Sequence, residues 1–287
     1  GMVTTDTRNI IPGSVFFALK GTNFNGNDFA LEALAQGARY AVVDEAMDQD
    51  IRIIQVSDVL EALQSCAKSW RNHLNIPVFG LTGSNGKTTN KELMHAVLST
   101  KYKTHATFGN LNNHVGVPLT ILSMSKDTEI AIIEMGANHQ GEIALLAGIS
   151  QPTIGYITNY GKAHMEGFGG LEGIIKGKSE LYDFAFEHQT QVMVNFDDSL
   201  QSEKTKDHNR FGFGHSKGGV TWKSTSDNEF ASIQLETKGN STSIKSQLSG
   251  HFNESNLAAA AALGLHFDVP LNDIKTVHFF DQSFDVD

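Results

Sequence analysis

The sequence predicts an α/β protein of two domains, with a small N-terminal α/β domain before a larger central one. The central domain is predicted to hold a mostly parallel sheet with an appended antiparallel β region. Three observations predict this fold. The 287 residues exceed one average domain. Short apolar stretches alternate with helical patterns, as in parallel sheets covered on both faces. Residues 208–250 change to short alternating segments between Gly, Asn and Ser turns.

The predicted N-terminal domain covers residues 1–76. Three strand-like stretches occur in it, GSVFFALKG, ARYAVVDE and IRIIQV, and DFALEALAQGA has helical spacing between the first two. The stretch VSDVLEALQSCAKSWRNHL then predicts an amphipathic helix. A new apolar strand begins directly after it, so we place the domain boundary near Ile76 and Pro77.

The predicted central domain covers residues 77–270. Strands and helices alternate in the order VFGLTG, a helix from Thr88, KTHAT, a helix near Val117 to Ser123, IAIIEMG, GEIALLAGI, IGYITN, LEGIIKGKSELYDFA and QVMVN. Over residues 208–250, segments such as VTWKS and ASIQLET predict antiparallel hairpins attached to the sheet. The stretch NESNLAAAAALGLHF returns to a helix, and residues 271–287 are predicted to be a linker or tail.

Composition limits the partners and the compartment. A formal charge of −10 argues against a protein that wraps a nucleic-acid backbone. The single cysteine, Cys66, cannot form an internal disulfide and fits a reducing compartment. The sequence does not open with a signal peptide, and its longest apolar run, LAAAAALGL, is far below the ~20 residues that span a bilayer. We therefore expect a soluble, cytoplasmic protein without nucleic-acid partners or membrane insertion.

A phosphate-binding loop is predicted in FGLTGSNGKTTNKEL, residues 79–93. An apolar strand leads into a turn with Gly83 and Gly86, and a helix opens at its end. Loop amides and a helix N-terminus both favour an anion there. The central domain is therefore predicted to be a P-loop domain, although the stretch departs from the common G-x-x-x-x-G-K-[ST] pattern. The competing interpretation is a βα turn with incidental Gly, Lys and Thr, which the strand–turn–helix context disfavours.

Several side chains are predicted to serve this loop. Lys87 is placed to neutralise the β- and γ-phosphates, and the Thr88 hydroxyl to ligate Mg²⁺. Glu134 ends a buried strand, where a carboxylate is costly unless it is paired or bound to a metal, so we interpret it as a Mg²⁺ ligand. The alternative for Glu134 is an ordinary acidic residue at a helix start.

The next strand and helix offer further candidates. IGYITNYGKAH delivers Asn159 and His164 to the same edge of the sheet. His164 is a possible second metal ligand, although Mg²⁺ prefers oxygen ligands, and a loop histidine is the simpler interpretation of the residue alone. Lys176 and Lys178 share one predicted helix, and their spacing does not choose between a site lysine and two solvated lysines.

Four stretches, in this order, resemble the Mur ligases, the ATP-dependent amide-forming enzymes of peptidoglycan synthesis: TGSNGKTT, EMGANHQGEI, TNYGKAH and GHFNESNLAAAAALG. Three more favour the member that adds D-alanyl-D-alanine to UDP-N-acetylmuramoyl-tripeptide: GNLNNHVGVPLT, IIEMGANHQGEI and EGFGGLEGIIKGKSEL. The opening stretch TTDTRNIIPGSVFFALKGTNFNGNDF resembles the uridine-nucleotide-binding domain of these ligases. The resemblance implies ATP and two Mg²⁺ ions as cofactors, two small-molecule substrates, and a monomer.

The resemblance also implies roles for single residues. The common phosphate-loop pattern has a glycine at the position of Leu81, but the family pattern T-G-x-N-G-K-T does not require one there. It implies that a carbamylated lysine follows the histidine, and counting fourteen residues from His164 selects Lys178. Lys87, His164 and Lys178 are then expected to be catalytic. The expected contacts with ATP come from Gly83, Asn85, Gly86, Lys87, Thr88, Thr89, Asn253 and Asn256, and those with the metals from Thr88, Glu134, His164 and Lys178.

Substrate contacts are implied at four positions. Thr7 and Arg8 fall in a D-[ST]-R motif of the uridine-nucleotide domain, and Asn112 and Asn113 lie where the muramoyl peptide is expected. Phe252 departs from the family pattern, because many members have histidine there beside the adenine-side asparagines. Nothing in the sequence resembles the third domain of the family, so we expect a fragment that is poorly active alone.

The implied reaction has two steps. The terminal carboxylate of the tripeptide attacks the γ-phosphate of ATP, which gives an acyl phosphate and ADP. The amine of D-alanyl-D-alanine then displaces phosphate through a tetrahedral intermediate. Two anions approach each other in the first step, so positive charge from Lys87 and the metal ions is the main requirement.

Three alternatives stay open from the sequence. Another ligase of the same superfamily, of the tripeptide-forming or folylpolyglutamate type, is disfavoured by GNLNNHVG and EMGANHQGEI. A P-loop switch or nucleotide-binding module would use ATP without ligation. A sugar-nucleotide-binding protein with an inactive phosphate loop would not depend on Lys87 for nucleotide affinity.

Overall fold

The computed structural model describes residues 3–46, 50–226 and 229–277. Its N-terminal part contains the strands β1 (Val3–Thr4), β2 (Val15–Phe17), β3 (Lys20–Gly21), β4 (Phe24–Asn25), β5 (Tyr40–Val43) and β6 (Ile53–Gln55). Four of them form a parallel sheet in the order β1-β2-β5-β6, and β3 pairs with β4 in a small antiparallel ribbon. The helices of this part are two 3-10 turns, Thr7–Asn9 and Gly26–Phe29, then α1 (Ala30–Ala35) and α2 (Val59–Leu74).

Helix α2 connects the two parts of the chain. It begins at Asp58, whose side chain accepts a hydrogen bond from the backbone N–H of Glu61, an N-cap interaction. Near its end, Arg71 is buried and its guanidinium donates to the carbonyls of Ser150 and Gln151, at 2.9 and 3.0 Å. These bonds attach the helix to the central part of the chain, although the helix precedes the predicted boundary. The domain limits themselves stay a prediction.

The central part contains one large sheet. Its strands are β7 (Val78–Thr82), β8 (Thr104–Ala106), β9 (Ile130–Glu134), β10 (Ile154–Ile157), β11 (Gln191–Asn195), β12 (Arg210–Gly214), β13 (Val220–Ser224), β14 (Phe230–Thr237) and β15 (Asn240–Ser249). They lie in the order β15-β14-β13-β12-β11-β10-β7-β9-β8. Pairing is parallel from β8 to β13 and antiparallel over β13, β14 and β15. The predicted α/β class is therefore confirmed.

Helices cover both faces of this sheet. They are α3 (Lys87–Leu98), α4 (Gly116–Ser123), α5 (Glu142–Ser150), α6 (Met165–Phe168), α7 (Leu171–Glu187), α8 (Ser199–Lys204), α9 (Phe252–His266) and α10 (Leu271–Thr276). Alternate residues of one strand enter opposite cores: Ile132 packs with α3 and α9, and Ile133 packs with α4, α5 and α7. This two-sided burial explains why the strands are continuously apolar.

One feature of the β region corrects the sequence prediction. The hairpin pattern predicted antiparallel pairing from residue 208 onward, but β12 pairs in parallel with both β11 and β13. The connection from β12 to β13 is only residues 215–219, a length that normally joins antiparallel strands. Parallel pairing is possible here because just Phe213 and Gly214 meet β13, and because Gly218 turns the chain with φ +110°.

The chain from residue 271 is partly outside the described residues. Residues 271–276 form α10, whose Ile274 is buried in the core beside α3 and α9. The rest of the predicted linker or tail, residues 278–287, lies outside the described residues. Within the described ranges, none of the helices is both long and apolar enough to cross a bilayer.

Candidate nucleotide-binding site

Three neighbouring strand ends create the site. Strand β7 lies between β10 and β9, and all three run parallel, so their carboxyl ends meet at one edge. The loop after β7, the carboxylate of Glu134 at the end of β9, and Thr158 with Asn159 after β10 therefore come together. Open α/β sheets bind ligands at the carboxyl ends of their strands, at the point where the chain continues on opposite sides of one strand.

The two loop glycines are required by conformation and space. Gly83 has φ +145°, and a Cβ at this position would overlap the hydroxyl of Thr158. Gly86 has φ +75° and is the left-handed residue directly before α3. Both predicted loop glycines thus allow a tight turn that directs backbone N–H groups toward the start of the helix.

The end of β10 holds the loop in shape. The Thr158 hydroxyl and the Asn159 side-chain amide both donate to the carbonyl of Asn85, at 2.7 and 2.9 Å. The Asn85 N–H donates back to Asn159 Oδ1 at 3.2 Å, and the Ser84 hydroxyl donates to the carbonyl of Gly161 at 2.6 Å. The sequence analysis placed Asn159 at this edge without a role. In the structure it braces the phosphate loop.

Lys87 lies across the loop. Its Nζ donates to the carbonyl of Gly83 at 2.9 Å and approaches that of Ser84 at 3.4 Å. Burial lowers the pKa of Lys87, and the nearby charge of Glu134 opposes that shift. Thr89 is half-buried in the first turn of α3, and no side-chain hydrogen bond of Thr89 is found among the described residues.

Glu134 is a buried carboxylate with neutral partners. It is 1% exposed, and it accepts hydrogen bonds from the Thr88 hydroxyl at 3.2 Å and from the Asn112 side-chain amide at 2.8 Å. Over the described ranges it has no lysine, arginine or histidine within ion-pair distance. A buried carboxylate beside a hydroxyl fits the oxygen ligands that Mg²⁺ prefers, and a cation would offset the cost of burying this charge.

Two residues behind Glu134 were missed by the sequence analysis. The Thr107 hydroxyl accepts the backbone N–H of Glu134 at 3.0 Å, and the buried Lys91 donates to the Thr107 carbonyl at 2.7 Å. Lys91 also pairs with Glu92 at 2.7 Å. The available signal was the spacing of Lys91, four residues after Lys87 on one helix, which puts both lysines on the same side.

A cavity of about 550 Å³ lies beside Lys87. Asn112, Asn113, His164 and Glu142 also line it. Lys87 and the first three of these were predicted to be site residues, so the structure brings four predicted residues to one cavity. His164 is exposed and has φ +54°, at the start of the short helix α6. Groups of three or more His, Cys, Asp or Glu side chains that could hold a metal are not found in the described part of the chain. The role of His164 as a metal ligand therefore stays a prediction.

Lys178 differs from Lys176 in its surroundings. Lys178 is 1% exposed, with its Nζ 3.3 Å from the carbonyl of Ala137 and 5.1 Å from the centre of the Phe168 ring, whereas Lys176 is exposed. Burial, together with the nearby charge of Lys87, lowers the pKa of Lys178 to about 8, although two glutamates oppose the shift. Only one of the two lysines is thus a buried group near the site.

Comparison with known proteins agrees with this geometry. The profile of the Mur ligase middle domain matches residues 81–264, and that of the Mur ligase family, catalytic domain, matches residues 1–71. The chain belongs to the Mur ligase family. It is 36% identical over 94% of its length to the UDP-N-acetylmuramoyl-tripeptide–D-alanyl-D-alanine ligase of Bacillus subtilis, of which it covers 60%.

Solved structures of this kind of Mur ligase superpose well on the chain. A crystal structure of MurF from Acinetobacter baumannii matches 96% of the chain with a TM-score of 0.86 and 36% identity, over 61% of that protein. MurF from Thermotoga maritima, in complex with ADP, matches with a TM-score of 0.84 and 30% identity, over 96% of the chain and 65% of that protein. The chain therefore spans about 60% of the length of the relatives it matches.

The two asparagines of the loop after β8 have different roles in this Mur ligase chain. Asn112 holds the carboxylate of Glu134, as described above. The side chain of Asn113 accepts the backbone N–H groups of Val115 and Gly116, at 3.1 and 2.8 Å, and so it shapes the start of α4. Both side chains also line the cavity, and their predicted contact with the muramoyl peptide stays a prediction.

The two asparagines of α9 lie next to the phosphate loop. Asn253 donates to the carbonyl of Ser249 at 2.8 Å and accepts from Asn256 at 2.9 Å. A Cβ on Gly86 would lie 3.7 Å from Asn256 Oδ1, which is van der Waals contact. Phe252, at the departure from the family pattern, is 72% exposed beside them.

Thr7 and Arg8 are not part of this cavity. They belong to the 3-10 turn Thr7–Asn9, and the guanidinium of Arg8 pairs with Asp6 at 2.7 Å on the surface of the N-terminal part. Hydrogen bonds from Arg8 lower the pKa of Asp6 to about 2, so this pair is charged at neutral pH. Their predicted contact with a uridine nucleotide stays a prediction.

Substituting Gly83 tests the geometry of the loop. We expect Gly83→Ala to weaken ATP binding about tenfold or more, because the added methyl group displaces Thr158 and with it the brace on Asn85. We also expect it to lower the free energy of unfolding by about 1–3 kcal/mol. Isothermal titration and denaturant unfolding measure the two effects.

Gly148→Ala in α5 is the matched control, because a Cβ there meets nothing within 4 Å. It should leave ATP affinity unchanged and stabilise the helix slightly. Wild-type ATP affinity in Gly83→Ala would contradict this description of the loop.

Proposed function

We propose that this chain carries the ATP and UDP-sugar sites of a ligase that joins D-alanyl-D-alanine to UDP-N-acetylmuramoyl-tripeptide, with ATP converted to ADP and phosphate. The observation that supports it most is that Lys87 and Asn112 line one cavity, and that Asn112 also holds the carboxylate of Glu134, which is paired with the Thr88 hydroxyl. The names of the relatives support the choice of substrates. A cytoplasmic location and a monomeric state remain predictions of the same proposal.

The loop is proposed to hold the triphosphate of ATP. The N–H groups of Gly86, Lys87 and Thr88, at the N-terminus of α3, favour an anion at the end of the loop. The Lys87 ammonium now donates to two backbone carbonyls, which are weaker partners than a phosphate. On ATP binding it is proposed to turn to the β- and γ-phosphates, where its charge balances the transferring group.

Glu134 and Thr88 are proposed to hold Mg²⁺. When bound, the ion would neutralise charge on the phosphates during transfer. The carboxylate and the hydroxyl are already 3.2 Å apart, and Asn112 fixes one carboxylate oxygen. Because Asn112 holds one carboxylate oxygen and Thr107 holds the backbone N–H of Glu134, a cation would take the place of the hydrogen bond between Thr88 and Glu134 with little rearrangement.

Lys178 is proposed to react with CO₂ and to support a second metal ion together with His164. The ammonium first loses one proton, and the neutral amine then adds to CO₂ and loses a second proton, so a cation becomes a carbamate anion. Burial supports this change, because a buried ammonium without a carboxylate partner is costly and the only hydrogen bond of Lys178 among the described residues goes to the Ala137 carbonyl. Lys176 lacks this environment, since it is exposed.

The remaining residues are proposed to position substrates. The tripeptide carboxylate would attack the γ-phosphorus, the bond to the bridging oxygen would break, and ADP would leave. The amine of D-alanyl-D-alanine would then attack the acyl carbon and release phosphate. Asn112 and Asn113 line the cavity where this acid would lie. Asn256 lies beside Gly86, and it is proposed to contact adenine together with Asn253. Thr7 and Arg8 are proposed to contact the uridine nucleotide.

Substituting Lys87 tests the proposed function. We expect Lys87→Ala to weaken Mg-ATP binding about tenfold to a hundredfold, because a charge-assisted bond to phosphate is lost. Isothermal titration measures the change, and exposed Lys126→Ala is the control. The same chain should bind UDP-N-acetylmuramoyl-tripeptide. ATP binding without any affinity for this sugar nucleotide would favour a nucleotide-binding module over a ligase.

Carbamylation of Lys178 has a direct spectroscopic test. With ¹³C-labelled bicarbonate, we expect one slowly exchanging carbamate carbon signal in the wild type, absent in Lys178→Ala and retained in Lys176→Ala. The reason is that, of the two lysines, Lys178 is buried beside the site and Lys176 is exposed. An identical spectrum for the wild type and Lys178→Ala would contradict the carbamate.

A further inference from the structure

Asn90 is an asparagine in the second turn of α3 that is 0% exposed, although asparagine is a poor residue for a helix interior. Its side-chain nitrogen donates to the carbonyl of Gly86 at 2.9 Å and to Asn256 Oδ1 at 2.7 Å. Its side-chain oxygen is buried and meets no donor in the described part of the chain. This arrangement leaves one acceptor desolvated, so helix stability alone does not account for the residue.

The hydrogen bonds around Asn90 fix the orientation of three amides. Asn90 donates to Asn256, Asn256 donates to Asn253, and Asn253 donates to the carbonyl of Ser249. A carbonyl oxygen can only accept a hydrogen bond. The Gly86 and Ser249 carbonyls, at the two ends of this chain of amides, must therefore each face an N–H group. Turning the Asn256 amide by half a turn would face oxygen with oxygen on one side and nitrogen with nitrogen on the other. Asn90 on one side and Asn253 on the other therefore hold Asn256 in one orientation, and without Asn90 only one of these two bonds opposes a turn of the amide.

The chain of amides joins the phosphate loop to α9. Gly86 is the last loop residue before α3; its carbonyl accepts from Asn90, and a Cβ on it would touch Asn256. The two helices also pack closely further along, where Gly264 of α9 meets Val97 of α3 with no room for a Cβ. A base next to Asn253 and Asn256 would thus meet amides that are connected, through the hydrogen bonds of Asn90, to Gly86 of the phosphate loop.

A fixed amide distinguishes bases that a freely turning amide does not. After the bonds above, Asn256 keeps one free N–H and one free oxygen lone pair. On its N1 edge adenine offers an N6–H donor beside the N1 acceptor, and an asparagine amide pairs with such a donor–acceptor edge through both of its atoms. Hypoxanthine reverses the pattern on the N1 edge, with an O6 acceptor and an N1–H donor. Only an amide that can turn fits both.

We propose that Asn90 is a positioning residue that sets the preference for adenine nucleotides by holding the amide of Asn256 in one orientation. The inference rests on the proposed function, because it places the base of the bound nucleotide beside Asn253 and Asn256. It adds the residue that makes these asparagines selective, and Asn90 itself does not touch the base.

The test compares ATP with ITP, which replaces the N6 amine by oxygen and leaves the ribose and phosphates unchanged. Wild-type chain should prefer Mg-ATP over Mg-ITP by about tenfold in isothermal titration. Asn90→Leu removes both side-chain bonds. Asn90→Thr keeps a hydroxyl able to donate to Gly86, four residues earlier, but cannot hold Asn256. We expect the preference to fall below about threefold in both variants.

Ser99→Ala, at the exposed end of α3, is the control and should keep the wild-type preference. Thermal unfolding checks that each variant is folded. If Asn90→Leu does not fold, the inference is judged on the nucleotide preference of Asn90→Thr. Equal losses of ATP and ITP affinity, with the preference kept, would overturn the inference while leaving the proposed function intact. Equal binding of ATP and ITP by the wild type would overturn it as well. A wild-type chain that binds neither nucleotide would overturn the proposed function and this inference with it.

Discussion

The buried carboxylate of Glu134 is the constraint around which the site is built. It ends a strand whose other residues are apolar, and its contacts come from a hydroxyl, an amide and a backbone brace rather than from a cation. Desolvating such a charge is unfavourable, and nearby positive charge offsets the cost. Lys87 supplies some of this charge in the structure, since it is close enough for Glu134 to oppose the fall in its pKa. A bound cation would supply the rest.

The phosphate loop is rigid because neighbouring elements hold it from two sides. On one side, Thr158 and Asn159 hold the carbonyl of Asn85. On the other, Asn90 holds that of Gly86, next to Asn256. The backbone N–H groups of Gly86 and Lys87, each of which directly follows one of these two carbonyls, are consequently positioned before any ligand binds. Pre-organised donors of this kind need little rearrangement when charge develops on a phosphoryl group.

The sequence predicted what depends on local pattern. The glycine spacing, the apolar strand before it and the carboxylate at the end of β9 are all readable from neighbouring residues. Parallel pairing of β12 was missed, because a short connection usually indicates a hairpin. The partners of Asn90, Thr107 and Lys91 come from distant parts of the chain or from a particular helix face, so spacing alone does not reveal them. Lys178 is distinguished from Lys176 only by its burial, which the spacing of the two lysines does not reveal.

The role of Glu134 is tested most directly by the Mg²⁺ dependence of ATP affinity in the wild type and in Glu134→Gln, which keeps the shape and one acceptor oxygen but removes the charge. If the buried carboxylate exists to hold the cation that accompanies the triphosphate, Mg²⁺ should strengthen ATP binding in the wild type and should do so much less in the variant. An equal gain from Mg²⁺ in both proteins would show that the cation is held elsewhere and would contradict the account.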